Sequence, residues 1–444
     1  MNEQAERSAG ITRLGFTGIG LTRRGSTRRS LRRVGGVWLA AVLLSACGED
    51  ASLTASSVSD EGKKPTLSKD GSDAGAKAVE DDLTAALGHG DFDALTPTEL
   101  FVAPEDMFCE GAVCTTGIPV DLEFNPVRRG ELWVVYRQPP PVGACENGGD
   151  RSGCAYLFGK VAIISGADTQ EPEVTVAEDG NSWHFMRQTT ALAFSESGTF
   201  ATIGEDRTAN THDSPVDYMG PTLWSSDPEI FAVDFGRNGS HLDMLHATPY
   251  GMGIAHQRAH RFFVFNGQIG AVDAYDFKEP HEPGGEDHSD GTLERYVEGK
   301  LKRVPNIPSH MDFLPDGVTL LIADTGNARV VALDTRSGRV AERLSTPDGQ
   351  IADPRRIADA KLVEIVPEGV LEQPSGLVVG ERSFAVGDAA TGKIHQFTFD
   401  GKPLSALDLD LPRGALGGLE LGPDGVLYIT RKDTNAVIKL APTP

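Results

Sequence analysis

From residue 118 to residue 442 the apolar positions fall in short runs of five to seven, rich in Val, Ile, Leu, Phe and Tyr, each closed by Gly, Asp, Asn or Pro. No long 3.6-residue apolar period runs through this stretch, and runs of that length between turn residues predict β-strands. The runs group into a recurring unit: a start containing Pro or Gly, a strand, a Pro-Asp-Gly-like turn, a second strand, a polar turn and a third strand. Residues 307–338 (IPSHMDFLPDGVTLLIADTGNARVVALDTRSG) carry the clearest copy, followed by 373–404 and 416–442. A repeat of roughly 40 residues made of short strands predicts a β-propeller. Weaker copies upstream bring the expected blades to six, near 118–166, 188–236, 248–277, 307–336, 373–400 and 415–442. A propeller has to close its ring, so a strand near Leu95–Val102 is expected to join the last blade. The fold class expected for residues 92–444 is therefore all-β, a six-bladed propeller. The long gaps, 278–305 and 339–372, read as insertions, which on repeat folds often build the binding face.

The pattern breaks down before residue 92. Residues 1–46 hold eight arginines and then the apolar run VGGVWLAAVLLSA. That run is too short for a membrane span, which needs about 20 apolar residues, and reads as a secretory signal. Leu-Leu-Ser-Ala-Cys resembles the bacterial lipobox, which makes Cys47 the lipidated N-terminus of the mature chain. STRRSLRR also resembles a twin-arginine export signal. Gly48 after the cysteine favours the outer membrane over retention at the inner one. Residues 47–91 are Ser, Asp, Gly, Ala and Lys with few large apolar side chains, and read as a flexible tether. The expected location is thus exported: lipid-anchored at a bacterial outer membrane, facing the periplasm or the surface.

Charge and cysteines sharpen this picture. Removing eight arginines and two glutamates with the leader from 41 basic and 64 acidic side chains leaves 33 against 62, a net charge of −29. Such a surface repels phosphate backbones, so no nucleic-acid partner is expected. It suits cations and basic partners, and the chain is expected to be a monomer. Four cysteines remain in two close pairs. In an exported protein an even count suggests disulfides, and Cys109–Cys114 with Cys145–Cys154 is the favoured pairing. A four-cysteine zinc site is the rival, but the eight residues between Cys145 and Cys154 exceed the usual two-to-four-residue spacing.

The candidate chemistry lies with histidine. Aligning Pro249 with Pro308 and Pro374 sets Gly251 opposite His310 and Gly376, each at the head of an innermost strand. In GMGIAH, Gly251, Gly253 and Ala255 share one face of the strand, and small residues suit the crowded axis. His246 precedes that strand and is expected at the same channel mouth as His310. His256 is expected at the far end, without a functional role. The insertion 278–305 adds His281, Glu286, Asp287, His288 and Asp290. Imidazole and carboxylate are ligands for transition metals, so His246, His310, His288, His281 and Asp287 are the candidate set for one divalent ion, zinc, copper or calcium. His184 and His212 read as structural or exposed.

ADTGNARVVALD and PSGLVV resemble the NHL-repeat family, and the likeness is strong over 307–442. The resemblance implies a six-bladed propeller. The peptidylglycine amidating lyase is similar to such a propeller and implies zinc held by histidines at the heads of inner strands. Here only His310, in Pro-Ser-His-Met, comes near that pattern, while Gly376 and Gly418 stand in blades five and six. Two functions follow. The first is an exported, lipid-anchored propeller that binds an envelope protein or a small-molecule ligand at one mouth of its channel. The second is a metal-dependent lyase or hydrolase with a histidine site at that mouth.

Overall fold

The computed structural model describes residues 81–110, 113–138, 159–208, 217–233, 235–347 and 349–443. Cys47, Cys145, Cys154 and His212, with the expected leader and most of the expected tether, lie outside the described residues. Six sheets carry the six blades. Their innermost strands are Ile118–Phe124, Thr189–Phe194, Gly251–Arg258, Met311–Phe313, Pro374–Val379 and Leu416–Leu421. Each packs against the innermost strand of the next blade, and the sixth packs against the first. Leu95–Val102 pairs antiparallel with Ala436–Pro442, so the N-terminal strand completes blade 6 and closes the ring as expected.

The blades run further than the repeat suggested, because each has a fourth, outer strand. In blades 1 to 5 these are Glu173–Ala177, Asp243–Met244, Thr292–Tyr296, Leu362–Val366 and Pro403–Asp408. Several are half exposed, so their apolar pattern is weak. The two insertions also differ from expectation. Residues 277–291 join the third and fourth strands of blade 3 rather than hanging between blades 3 and 4. The second insertion adds Asp353–Ala358, parallel to Thr292–Tyr296, and then Arg339–Arg343, so that the sheet of blade 3 reaches six strands.

Core formation follows from the strand pattern. Inner and second strands are apolar on both faces because each blade is sandwiched between two others. Trp133 of blade 1, for instance, meets Phe194, Phe200 and Phe231 with ring centroids 4.9–5.6 Å apart. Full burial of one large apolar side chain stabilises by roughly 1.5–3 kcal/mol, and several such clusters lie between blades. The folded part begins earlier than residue 92. Asp81 caps a short helix, Asp82–Ala86, whose Leu83 and Ala86 are fully buried against blades 5 and 6. Beside blade 1, Cys109 and Cys114 are joined by a disulfide across the hairpin Phe108–Glu110 and Val113–Thr115.

Candidate functional site

The inner strands share one irregularity that fixes what faces the axis. In blades 1, 2, 3, 5 and 6 the pairing of the first strand with the second slips within the three residues ahead of Leu122, Leu192, Ile254, Leu377 and Leu419. In blade 4 Met311 occupies the same register, paired with Ile322. The residues immediately before these form one tier around the axis: Asp121, Ala191, Gly253, His310, Gly376 and Gly418. Strand alternation sets the second tier two residues on: Glu123, Ala193, Ala255, Asp312, Val378 and Glu420. The equivalent of His310 in blade 3 is therefore Gly253, two residues beyond the expected Gly251.

The small members of the first tier are required by close approach. A Cβ on Gly418 would come 2.9 Å from the Cα of Asp121, and one on Gly253 would overlap the Ser309 carbonyl. With small residues in the other blades, Asp121 and His310 reach each other from opposite sides of the ring. His310 Nδ1 lies 3.5 Å from Asp121 Oδ1, and His310 Nε2 donates to the Thr190 carbonyl at 3.3 Å. Both ring nitrogens thus face acceptors.

The carboxylates answer a backbone problem. An inner strand turned to the axis leaves N–H groups without ladder partners, and buried N–H groups need acceptors. Side chains of one blade supply them to the next. Leu192 N donates to Asp121 at 3.1 Å, Phe194 N to Glu123 at 2.7 Å and Val379 N to Asp312 at 3.2 Å. Glu420 accepts in the same way from Phe124. All four also line an axial chamber of about 250 Å³ together with His310. Four acids in one buried chamber resist ionisation. Burial, opposed by the Phe313 and Val379 N–H groups, pushes Asp312 up to about 7. Burial and the charge of Glu420 raise Glu123 well above the usual range, and burial with the charge of Asp312 does the same to Glu420. Asp121 is raised by burial, with His310 pulling the other way.

The predicted metal set does not assemble as expected. His246 is buried and stacked on Tyr218, with ring centroids 3.6 Å apart. Among the described residues no group of three or more ligand atoms within 4.8 Å includes His246 or His310. The two-residue change of register is the reason, since it sets His246 seven positions ahead of Gly253. It also brings His256 nearer, and His256 lines the axial chamber, contrary to the expectation that it lies apart from His310. His256 Nε2 is held by the Ala259 carbonyl at 2.9 Å and by Glu196 at 3.3 Å. Asp287 is exposed and accepts from the Ser289 N–H and hydroxyl at 3.1 and 2.7 Å, which holds its carboxyl below the usual range. His281 and His288 do come together, with His241, which the sequence reading had not singled out. They stand at the outer edge of blade 2, away from the channel, because the segment 277–291 bonds to that edge: His281 N donates to the Leu242 carbonyl and Gly284 N to that of His241. Asp121, Glu123, Asp312 and Glu420 were missed as well. Their signal was a single acid at alternate positions in an apolar inner strand, as in Val-Asp-Leu-Glu-Phe and Leu-Glu-Leu.

No protein-family model matches this chain, and no curated protein matches it. Among solved structures it is similar to streptogramin B lyase, at 11% identity and a TM-score of 0.42, over 79% of this chain and 99% of that one. It is similar to an auxiliary nutrient binding protein from Bacteroides ovatus ATCC 8483, at 11% identity and a TM-score of 0.44, over 79% and 77%. The calcium-binding protein regucalcin from Agrobacterium tumefaciens str. C58 matches at 13% identity and a TM-score of 0.44, over 73% and 90%. Likeness at this level says nothing of what this chain binds, and the propeller assignment rests on its own six sheets.

Proposed function

We propose that this chain is an exported, lipid-anchored propeller that binds a small organic cation in its axial chamber. The observation that carries the reading is the convergence of Asp121, Glu123, Asp312 and Glu420 on one buried cavity. Burial in the chamber works against ionisation of those acids. A ligand bringing a positive charge and N–H donors lets them ionise and form charge-assisted hydrogen bonds, about twice as strong as neutral ones. Their oxygens are too far apart to form a compact ligand set for a bare ion. The chamber lies just below the roughly 300–1,000 Å³ of ordinary ligand pockets, which suits a small amine. The net charge of −29 draws cations towards it. The NHL-like motifs of 307–442 support the same class of binding propeller.

The test is calorimetric titration with 1,4-diaminobutane, tetramethylammonium and Ca²⁺. The diamine should bind at 1:1, with at least tenfold weaker binding after Glu420→Gln or Asp312→Asn. No binding of the diamine, or binding indifferent to both substitutions, overturns the reading. Export and anchoring rest on the arginine-rich leader, the lipobox-like Leu-Leu-Ser-Ala-Cys and Gly48, which support the outer membrane. Mass spectrometry of the mature N-terminus should find acylated Cys47; a free thiol there removes the anchor.

A further inference from the structure

Three imidazoles meet where the segment 277–291 crosses from blade 3 to the outer edge of blade 2. One ring nitrogen of each of His241, His281 and His288 lies within 4.8 Å of the other two. In each ring Nδ1 is already held: that of His241 by the Asn238 carbonyl at 2.6 Å, that of His281 by the Glu282 carbonyl at 2.6 Å, and that of His288 by Asp243 Oδ1 at 3.0 Å. Nε2 is therefore the nitrogen left to coordinate in all three. His241 is wholly buried and His288 is 6% exposed, and the Nε2 atoms of His241 and His281 are buried without any hydrogen-bond partner. Burying such nitrogens unpartnered is costly, because the hydrogen bonds they made to water are lost without replacement. Asp243 adds to the anomaly, being fully buried with Oδ2 likewise unpartnered.

We propose that His241, His281 and His288 form a site for one divalent transition ion of the zinc and copper class, separate from the axial chamber. Three neutral imidazoles are the donor set that zinc and copper take and calcium does not. Tetrahedral zinc at about 2.0–2.1 Å from each nitrogen sets the nitrogens about 3.4 Å apart, so rings whose nitrogens already lie within 4.8 Å need close in by no more than about 1.4 Å on loading. Carbonyls on the Nδ1–H of two ligands and a carboxylate on the third are the outer partners that fix tautomer and orientation in metal–histidine sites. Asp243 is thus a positioning residue. Ligands from both blades make the ion a clip between the 277–291 segment and the propeller body, with a fourth position open to water or another ligand.

The full-length chain, stripped with a chelator, is titrated with zinc against a chromophoric competitor, and the copper(II)-loaded form is examined by electron paramagnetic resonance. One zinc per chain is expected, with nitrogen hyperfine structure in the copper spectrum and a rise in Tm on zinc addition. His241→Ala and His281→Ala should each weaken zinc at least a hundredfold, and Asp243→Asn by roughly 10–100-fold. His260→Ala, on the nearby surface, should leave it unchanged. Should His241→Ala fail to fold, His281→Ala decides alone, since its ring sits half exposed on the crossing segment. Absence of 1:1 zinc binding, wild-type affinity in the histidine variants, or displacement of zinc by equimolar calcium overturns the site.

Discussion

His310 and Asp121 meet across the propeller axis, Nδ1 to Oδ1 at 3.5 Å, although they belong to blades 1 and 4, three places apart in a ring of six. They do so because the intervening tier is glycine and alanine. Removing one partner of a buried pair leaves the other uncompensated, at a cost of roughly 3–5 kcal/mol. His310→Ala is expected to lower stability by about that amount in urea unfolding. Asp121→Asn in the same chain should restore part of the loss. Strictly additive effects would show that the two residues do not interact.

The chamber makes stability depend on pH. Asp312 has an ordinary value of 3.8 and is raised to about 7 in the fold. A raised acid contributes stability that is complete below about 4 and is lost as pH climbs through about 7. The shift corresponds to about 4 kcal/mol at most. Asp312→Asn should therefore be more stable than wild type at pH 8 and lose that advantage by pH 4. Urea midpoints of the two proteins that run parallel from pH 4 to 8 would contradict the assignment.

Crowding around the axis is tested at Gly418. An added methyl group would press on Asp121 and on Leu122, whose Cδ2 stands 2.8 Å from the built Cβ. Gly418→Ala should cost about 1–3 kcal/mol through overpacking, read as a lower Tm. An unchanged Tm would mean that the first tier has room to spare.

The disulfide of the Phe108–Glu110 and Val113–Thr115 hairpin closes a short loop, so its effect on the unfolded chain is modest, about 2 kcal/mol. Cys109→Ser with Cys114→Ser should lower the urea midpoint by that much without changing the slope. For Cys145 and Cys154, non-reducing peptide mapping should find a bond between the two.

Much of this fold was legible in the chain. Inner and second strands are buried on both faces, so they read as unbroken apolar runs such as Phe-Phe-Val-Phe in blade 3, and Leu95–Val102 followed from the need to close the ring. Outer strands such as Pro403–Asp408 are half exposed and blend into the loops. The site was harder to read for two physical reasons. The prolines do not mark one register: Gly251, not Pro249, stands where Pro374 stands, each three residues ahead of the matched pair Ile254 and Leu377, so aligning the prolines set Gly251 where Gly253 belongs and misplaced both His246 and His256. His241, in turn, meets His281 and His288 only because the 277–291 segment docks on a neighbouring blade, a contact across 40 residues of chain that no local spacing encodes.

Proton release tests the central claim most directly. If an amine is held by carboxylates that carry protons when the chamber is empty, binding must expel them. Calorimetry of 1,4-diaminobutane binding at pH 6, in two buffers of different ionisation enthalpy, should show about one proton or more released per ligand. Asp312→Asn should reduce that number. Diamine binding with no proton release, and with the same heat in both buffers, would contradict the account.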